Sequence, residues 1–196
     1  MGEILRVVPS ITLRLGHPHI VYNGKLHFLD LLYILAFDPF RAKNDRVFLC
    51  RVIDFPVGVN MSNGNHYLGA CLVSLRFCTT HRMGCASHLL KVWDFKDYDK
   101  DEWCLKHEFS TRDLMDTYDA HMIIQTNRMD FTINIDVRGF HPYDKNITYI
   151  FYANFIFECN MRIKTLQMVY EYQGNGGAHT FLDMSLGLGI IHTGNC

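Results

Sequence analysis

Apolar side chains recur at every second position along most of the chain, while runs spaced three and four apart are nearly absent. Residues two apart share a face only in an extended strand, so this feature alone confines the chain to β structure. The apolar segments are short: EILRVV, HIVY, KLHFL, LYILAF, VFLCRVI, NHYLGAC, SLRFCT, LLKVWDF, EWCLKHEF, MIIQT, FTINIDV, ITYIF, NFIFEC and TLQMVYEY. Turn residues separate them. Asn23-Gly24, between HIVY and KLHFL, is the strongest hairpin signal, because a type I′ turn needs positive φ at both positions. RDLMDTYDAH (112–121) has room for one helical turn. Many short strands at close spacing imply an all-β sandwich, barrel or propeller.

Internal repetition chooses among these. YNGKLHFLDLLYILAFDPFRAKNDRVFLCRVIDF, GACLVSLRFCTTHRMGCASHLLKVWDFKDYDKDEWCLKHEF and DKNITYIFYANFIFECNMRIKTLQMVYEY superpose. Each runs strand, connection, strand, polar turn, strand, and shares one polar residue: Asp38, Asp94 and Asn160. One inner strand added to each unit makes a four-stranded antiparallel meander, over residues 17–55, 66–110 and 131–172. A propeller blade has this form, although its repeat is commonly ~40–50 residues. The expected fold is therefore an all-β partial propeller of about three such blades plus terminal strands, a single domain spanning 1–196. Propellers usually close with ~4–8 blades, so two flanks are expected to stay open and to favour self-association. The N-terminal strand within 3–15 is expected to fill one gap.

Both tryptophans fall in one hairpin, LLKVWDFKDYDKDEWCLKHEFS (89–110). Parity groups Trp103 with Leu105, His107 and Phe109, and makes Lys96–Asp101 a polar hairpin loop. Asp97, Asp99, Asp101 and Glu108 occupy positions 1, 3, 5 and 12 of an EF-hand loop. Position 6, where the sharp turn needs glycine, is Glu102, and strands rather than helices flank it, so a solvated turn is expected instead of a calcium site.

Charge and composition exclude several classes. The net charge is −1 and the basic residues are scattered, which disfavours capture of nucleic acid or an anionic membrane. The longest apolar run, FLDLLYILAF (28–37), is broken by Asp30 and falls short of a membrane span. MGEILR lacks a signal peptide's pattern, and the sequons at Asn60 and Asn146 are read as accidental. The 7 cysteines include no C-x-x-C pair, so free thiols in cytoplasm or nucleus are expected.

One constellation suggests metal chemistry. CTTHRMGCASH places Cys78, His81, Cys85 and His88 at C-x₂-H-x₃-C-x₂-H spacing, two thiolates and two imidazoles for a tetrahedral zinc. Cys78 and His88 fall on neighbouring strands. The competing reading is a plain long loop in a chain with 11 histidines. No G-x-S-x-G elbow or activated cysteine supports nucleophilic catalysis. GLGII (187–191) has two of three dinucleotide-fingerprint glycines and no βαβ context; GNGG (174–177) is a turn without a P-loop lysine. His17-Pro18-His19 marks a turn before a strand. No catalytic residue or cofactor is expected; the alternative is a zinc-binding or metal-dependent hydrolytic protein using the His/Cys loop.

VYNGKLHFL–ILAFDPF, then VWDFKDYDKDEWCLKH, then the FHPYDKN turn leading to a Met-Arg-x-x-Thr hairpin, together resemble the plant F-box-associated, kelch-like β-propeller domains. The resemblance spans roughly 17–172. It implies a non-enzymatic protein–protein interaction module, of the kind that selects substrates for a cullin-type (SCF) ubiquitin ligase. In that family a separate N-terminal F-box binds the ligase adaptor. What precedes the first unit is too short for that helical module, and FLDLLYIL (28–35) imitates its start but runs on into strand and turn. Adaptor binding is therefore not expected of this chain. A protein partner is expected on the face of the long loops 54–65, 79–87 and 110–118, since loops on a rigid scaffold carry binding.

Overall fold

The computed structural model describes residues 5–7, 19–40, 49–62, 64–72, 74–83, 87–98, 100–110, 113–114, 135–152 and 154–171. Among them lie β1 (Leu5–Val7), β2 (His19–Tyr22), β3 (Lys25–Leu29), β4 (Ile34–Phe37), β5 (Leu49–Ile53), β6 (Asn65–Cys71) and β7 (Ser74–Met83). β8 (Ser87–Asp97), β9 (Glu102–Ser110), β10 (Asp136–Phe140), β11 (Ile147–Tyr152), β12 (Phe155–Asn160) and β13 (Thr165–Glu171) follow. The fold is all-β: three antiparallel meanders, β2–β5, β6–β9 and β10–β13, which we call sheets I, II and III. β1 adds to the outer edge of sheet I, Arg6 opposite Cys50, and so widens a complete meander rather than filling a gap. Of the segment 112–121, only Asp113 and Leu114 are described; MIIQT, GNGG and GLGII lie outside the described residues.

Local chemistry sets the turns. Asn23 and Gly24 have φ of 51° and 70°, as the Asn-Gly hairpin requires. The repeated polar residue after each third strand caps a turn: Asp38 Oδ1 accepts from Phe40 N (3.0 Å), and Asn160 Oδ1 accepts from Arg162 N (3.1 Å). In sheet II that role belongs to Asp97, whose Oδ1 accepts from Lys100 N at 3.3 Å. Asp94, expected there, instead sits inside β8 opposite Arg76. The alignment was offset because β8 runs three residues past Asp94.

The sheets stack through the two faces of sheet II. Along β7, Leu75 and Phe77 face sheet I, where they join Leu29, Ile34, Ile53, Leu68, Trp93 and Phe95. Cys78 faces the other way, joining Leu90, Val92, Ile150, Tyr152, Phe157 and Cys159 against sheet III. Alternation on β7 thus feeds two separate cores, and so β7 is almost wholly buried.

β6 packs against β2 on one side and β10 on the other. At its start, Asn65 Nδ2 donates to the Ile135 carbonyl (3.2 Å) and to Asp136; at its end, Leu72 N donates to the Pro142 carbonyl (2.8 Å). β6 and β10 therefore lie side by side in the same direction. Gly69 permits their approach, since a Cβ there would sit 2.7 Å from the Phe140 ring. Among the described residues, the turns that follow first and third strands share one end of the molecule, and the β3–β4 turn and the β5–β6 connection lie at the other.

Candidate functional site

The His/Cys loop is mostly ladder. β7 continues to Met83 and β8 begins at Ser87, so of the segment 79–87, expected as a long loop, residues 79–83 and 87 are strand and 84–86 lie outside the described residues. Cys78 is opposite Val92 while His88 is opposite Arg82. Four rungs of ladder, about 13 Å at ~3.3 Å per residue, separate Cys78 from His88. His81 differs in parity from Cys78 and faces sheet I. The register thus brings none of Cys78, His81 and His88 together, and Cys85 lies outside the described residues. Burial among apolar neighbours pushes the Cys78 thiol far up, and Cys159 up to about 12, so both stay protonated and unsuited to metal. Among the described residues no three or more His, Cys, Asp or Glu side chains are grouped to hold a metal.

The acids of the 96–101 turn are engaged by cations. Asp101 accepts from Arg51 Nη2 (2.7 Å), Asp97 pairs with Lys100 (3.1 Å), and Glu108 pairs with Lys91 across the sheet (3.2 Å). Asp99 lies outside the described residues. The loop was expected to be a solvated turn; it reaches onto sheet I. The Tyr98 ring lies 4.6 Å below both the Lys25 ammonium and the Arg51 guanidinium, and its hydroxyl is 3.0 Å from Nε2 of the fully buried His27. Burial, partly offset by the nearby Ile20 and Lys25 backbone, pushes His27 down to about 4. Trp103 seals the same interface: its ring is 4.6 Å from Phe95 and its Nε1 donates to the Asp54 carbonyl at 2.8 Å.

Parity along β9 fails for a physical reason. A register shift between Val92 and Trp93 leaves Lys106 unmatched in β9, and one between Phe95 and Asp97 leaves Lys96 unmatched in β8. Trp103 and Leu105 therefore share the face of Phe95 and Trp93 towards sheet I, while Phe109 is buried with Leu90 towards sheet III, although alternation groups all three.

Between sheets II and III a single cation is sequestered. Arg76, 1% exposed, donates to Asp94 (2.6 Å) and to the Lys145 carbonyl (2.7 Å), with its guanidinium 5.2 Å above the Phe140 ring. Sequence reasoning passed over Arg76, Tyr98 and His27. A lone Arg in an alternating apolar strand, and an aromatic inside an acidic turn, are the signals that could have found them.

The end formed by the longer connections is apolar at its tips. Leu31 and Leu32 project from the β3–β4 turn, Val57 from the β5–β6 connection and Met83 from the end of β7, all exposed and Leu32 77% so. The 54–65 connection is internally braced: Val59 N donates to the Pro56 carbonyl and Ser62 N to Asn60 Oδ1. The 110–118 segment lies largely outside the described residues. No described helix is long and apolar enough to cross a membrane. Comparisons with protein families, with curated proteins and with solved structures found no match.

Proposed function

We propose that this chain is a non-enzymatic protein-binding module whose three sheets are consecutive blades of a β-propeller, similar to the plant F-box-associated domains. The observation that carries this reading is the loop end: four exposed apolar side chains, Leu31, Leu32 and Val57 on connections and Met83 at the end of β7, on a cross-braced scaffold. Exposed apolar groups gathered at one end of a scaffold are the common signature of a protein contact. The side-by-side, same-direction packing of β6 and β10 supports the propeller arrangement, since first strands of blades line a common axis.

The partner is a protein, in cytoplasm or nucleus. Substrate selection for a ubiquitin ligase follows from the family resemblance alone. Exposed Met168, Val169 and Tyr170 on β13, the open edge of sheet III, support self-association as well. Affinity capture from a plant extract tests the reading, with blotting for ligase adaptor and cullin. Leu32→Asp with Val57→Asp is expected to abolish capture of the partner, and Lys96→Glu at the opposite end to leave it intact. The reverse pattern overturns the assignment of the loop end.

A further inference from the structure

Three polar side chains gather at one corner of the sheet I–II interface, and two of them, His66 and Thr79, have unused capacity. His66 and Thr79 are directly opposed in the β6–β7 ladder, and His81 lies two residues further along β7 on the same face. His66 Nε2 is 3.2 Å from the Met61 carbonyl. A carbonyl only accepts, so Nε2 carries the proton and Nδ1 of the neutral ring holds a bare lone pair. That Nδ1 is buried and has no hydrogen-bond partner among the described residues, and the same is true of Thr79 Oγ1 in a fully buried residue. Buried polar atoms are nearly always satisfied, and orphans commonly mark an ion or water.

The second imidazole stands where an ion would need it. The His66 and His81 ring centroids are 6.1 Å apart at 67°. A metal about 2.0–2.1 Å from a ring nitrogen lies about 3.2 Å from that ring's centroid, so two ligating rings are at most about 6.4 Å apart. That limit is for a linear pair; a tetrahedral angle sets about 5.2 Å, so the observed spacing closes with a side-chain rotation of about 1 Å by the half-buried His81. Donation of the non-ligating N–H to a backbone carbonyl, as His66 makes to Met61, is the usual outer support of a metal-bound histidine. The nearest cation on this face, Lys91 opposite Thr79, is already paired with Glu108. Gly64 lets the connection close over the corner: a Cβ there would be 1.9 Å from the Thr80 carbonyl and 3.2 Å from His81 Nδ1.

We propose that His66 Nδ1 and a ring nitrogen of His81 form a two-imidazole site for a borderline divalent ion such as Zn²⁺, with Thr79 Oγ1 holding a metal-bound water. The ion would bridge β6 and β7, with His66 held through the Met61 carbonyl to the 54–65 connection that carries Val57, a structural brace at the loop end. Two protein ligands make this an open, water-completed site, weaker than a closed four-ligand one. It uses His81 but neither thiol of the C-x₂-H-x₃-C-x₂-H spacing.

Titration of the full-length, chelator-stripped protein with Zn²⁺ by calorimetry, and X-ray absorption of the loaded protein, test this. One equivalent is expected to bind with a nitrogen/oxygen shell free of sulfur. His81→Asn and, separately, His66→Gln are each expected to weaken binding at least about tenfold, the loss that follows even when an outer support is removed. His81→Asn is the safer variant, because His66 also stacks against Phe77 at 6.1 Å; unchanged far-ultraviolet circular dichroism establishes that each variant is folded. Sulfur in the shell, affinity unaltered in His81→Asn, or no Zn²⁺ uptake (an ordered water satisfying the orphans) would each overturn the proposal.

Discussion

The two faces of sheet II are held by different physics. Against sheet III the core is aliphatic, aromatic and thiol, with Arg76 sequestered beside Asp94 as its one buried ion pair among the described residues. Against sheet I the apolar core is ringed by side chains that reach across from turns: Tyr98 to His27, Asp101 to Arg51, and the Trp103 indole to Asp54. The first interface has depth, so a charge lost there is expensive. The second has a polar rim, so it responds to pH and tolerates the loss of single contacts. One strand, β7, serves both because adjacent residues point opposite ways.

The largest effect should separate the two arginines. Arg76→Met leaves Asp94 without its cation in a buried setting, and a loss of about 3–5 kcal/mol is expected. Arg51→Met removes a pair whose acid is one-third exposed, for which about 1 kcal/mol or less is expected. Urea denaturation of both variants measures the contrast directly; equal losses would erase the distinction between the faces.

Acid should attack the sheet I face. His27 has a folded value of about 4, below its ordinary 6.5, so the folded state resists protonation. Its contribution is fully present above about pH 6.5 and is lost as pH falls towards 4, by about 3 kcal/mol at 1.36 kcal/mol per pH unit. Burial displaces His66, on the same face, in the same direction, and His88 and His107 on the sheet III face likewise, so these two add to the slope of the whole chain and not to that of the sheet I face. Denaturation midpoints at pH 7 and pH 4 should therefore converge in His27→Leu more than in the native chain. An undiminished slope would place the acid sensitivity elsewhere.

Smaller effects sharpen the picture. Trp103→Ala should cost about 2 kcal/mol, short of the ~3–5 for a fully buried ring, because this one is only partly buried. Loss of melting temperature with retained solubility is the expected readout. Tyr98→Phe removes only the hydroxyl contact to His27 and keeps both stacked cations, so about 1 kcal/mol is expected in the same assay.

Strand positions were legible because alternation is a local property. NHYLGAC coincides with β6, and HIVY and KLHFL with β2 and β3. The grouping into three meanders was also legible, from the repeated polar residue before each last strand. Register was not. The bulge at Lys106 in β9 cannot be read from side-chain identity, so Trp103 and Phe109 were assigned one face and have two. Nor could the sequence bring His66 beside His81, or part Cys78 from His88, because those relations depend on which rung faces which. Tyr98 was hidden for another reason: its neighbours are acidic and turn-forming, and only its contact with the adjoining sheet makes it structural.

The central claim is that sheet II lies between two packed neighbours, and thiol labelling reports on it most directly. Cys78 of sheet II and Cys159 of sheet III are both buried in the same core, whereas Cys104 on β9 is partly exposed. Pulse alkylation of the native chain, resolved by peptide mass spectrometry, should modify Cys104 quickly. Cys78 and Cys159 should react slowly and at one shared rate, set by opening of the common core. Fast labelling of Cys159 while Cys78 stays protected would contradict the account, since sheet III would then not be packed on sheet II.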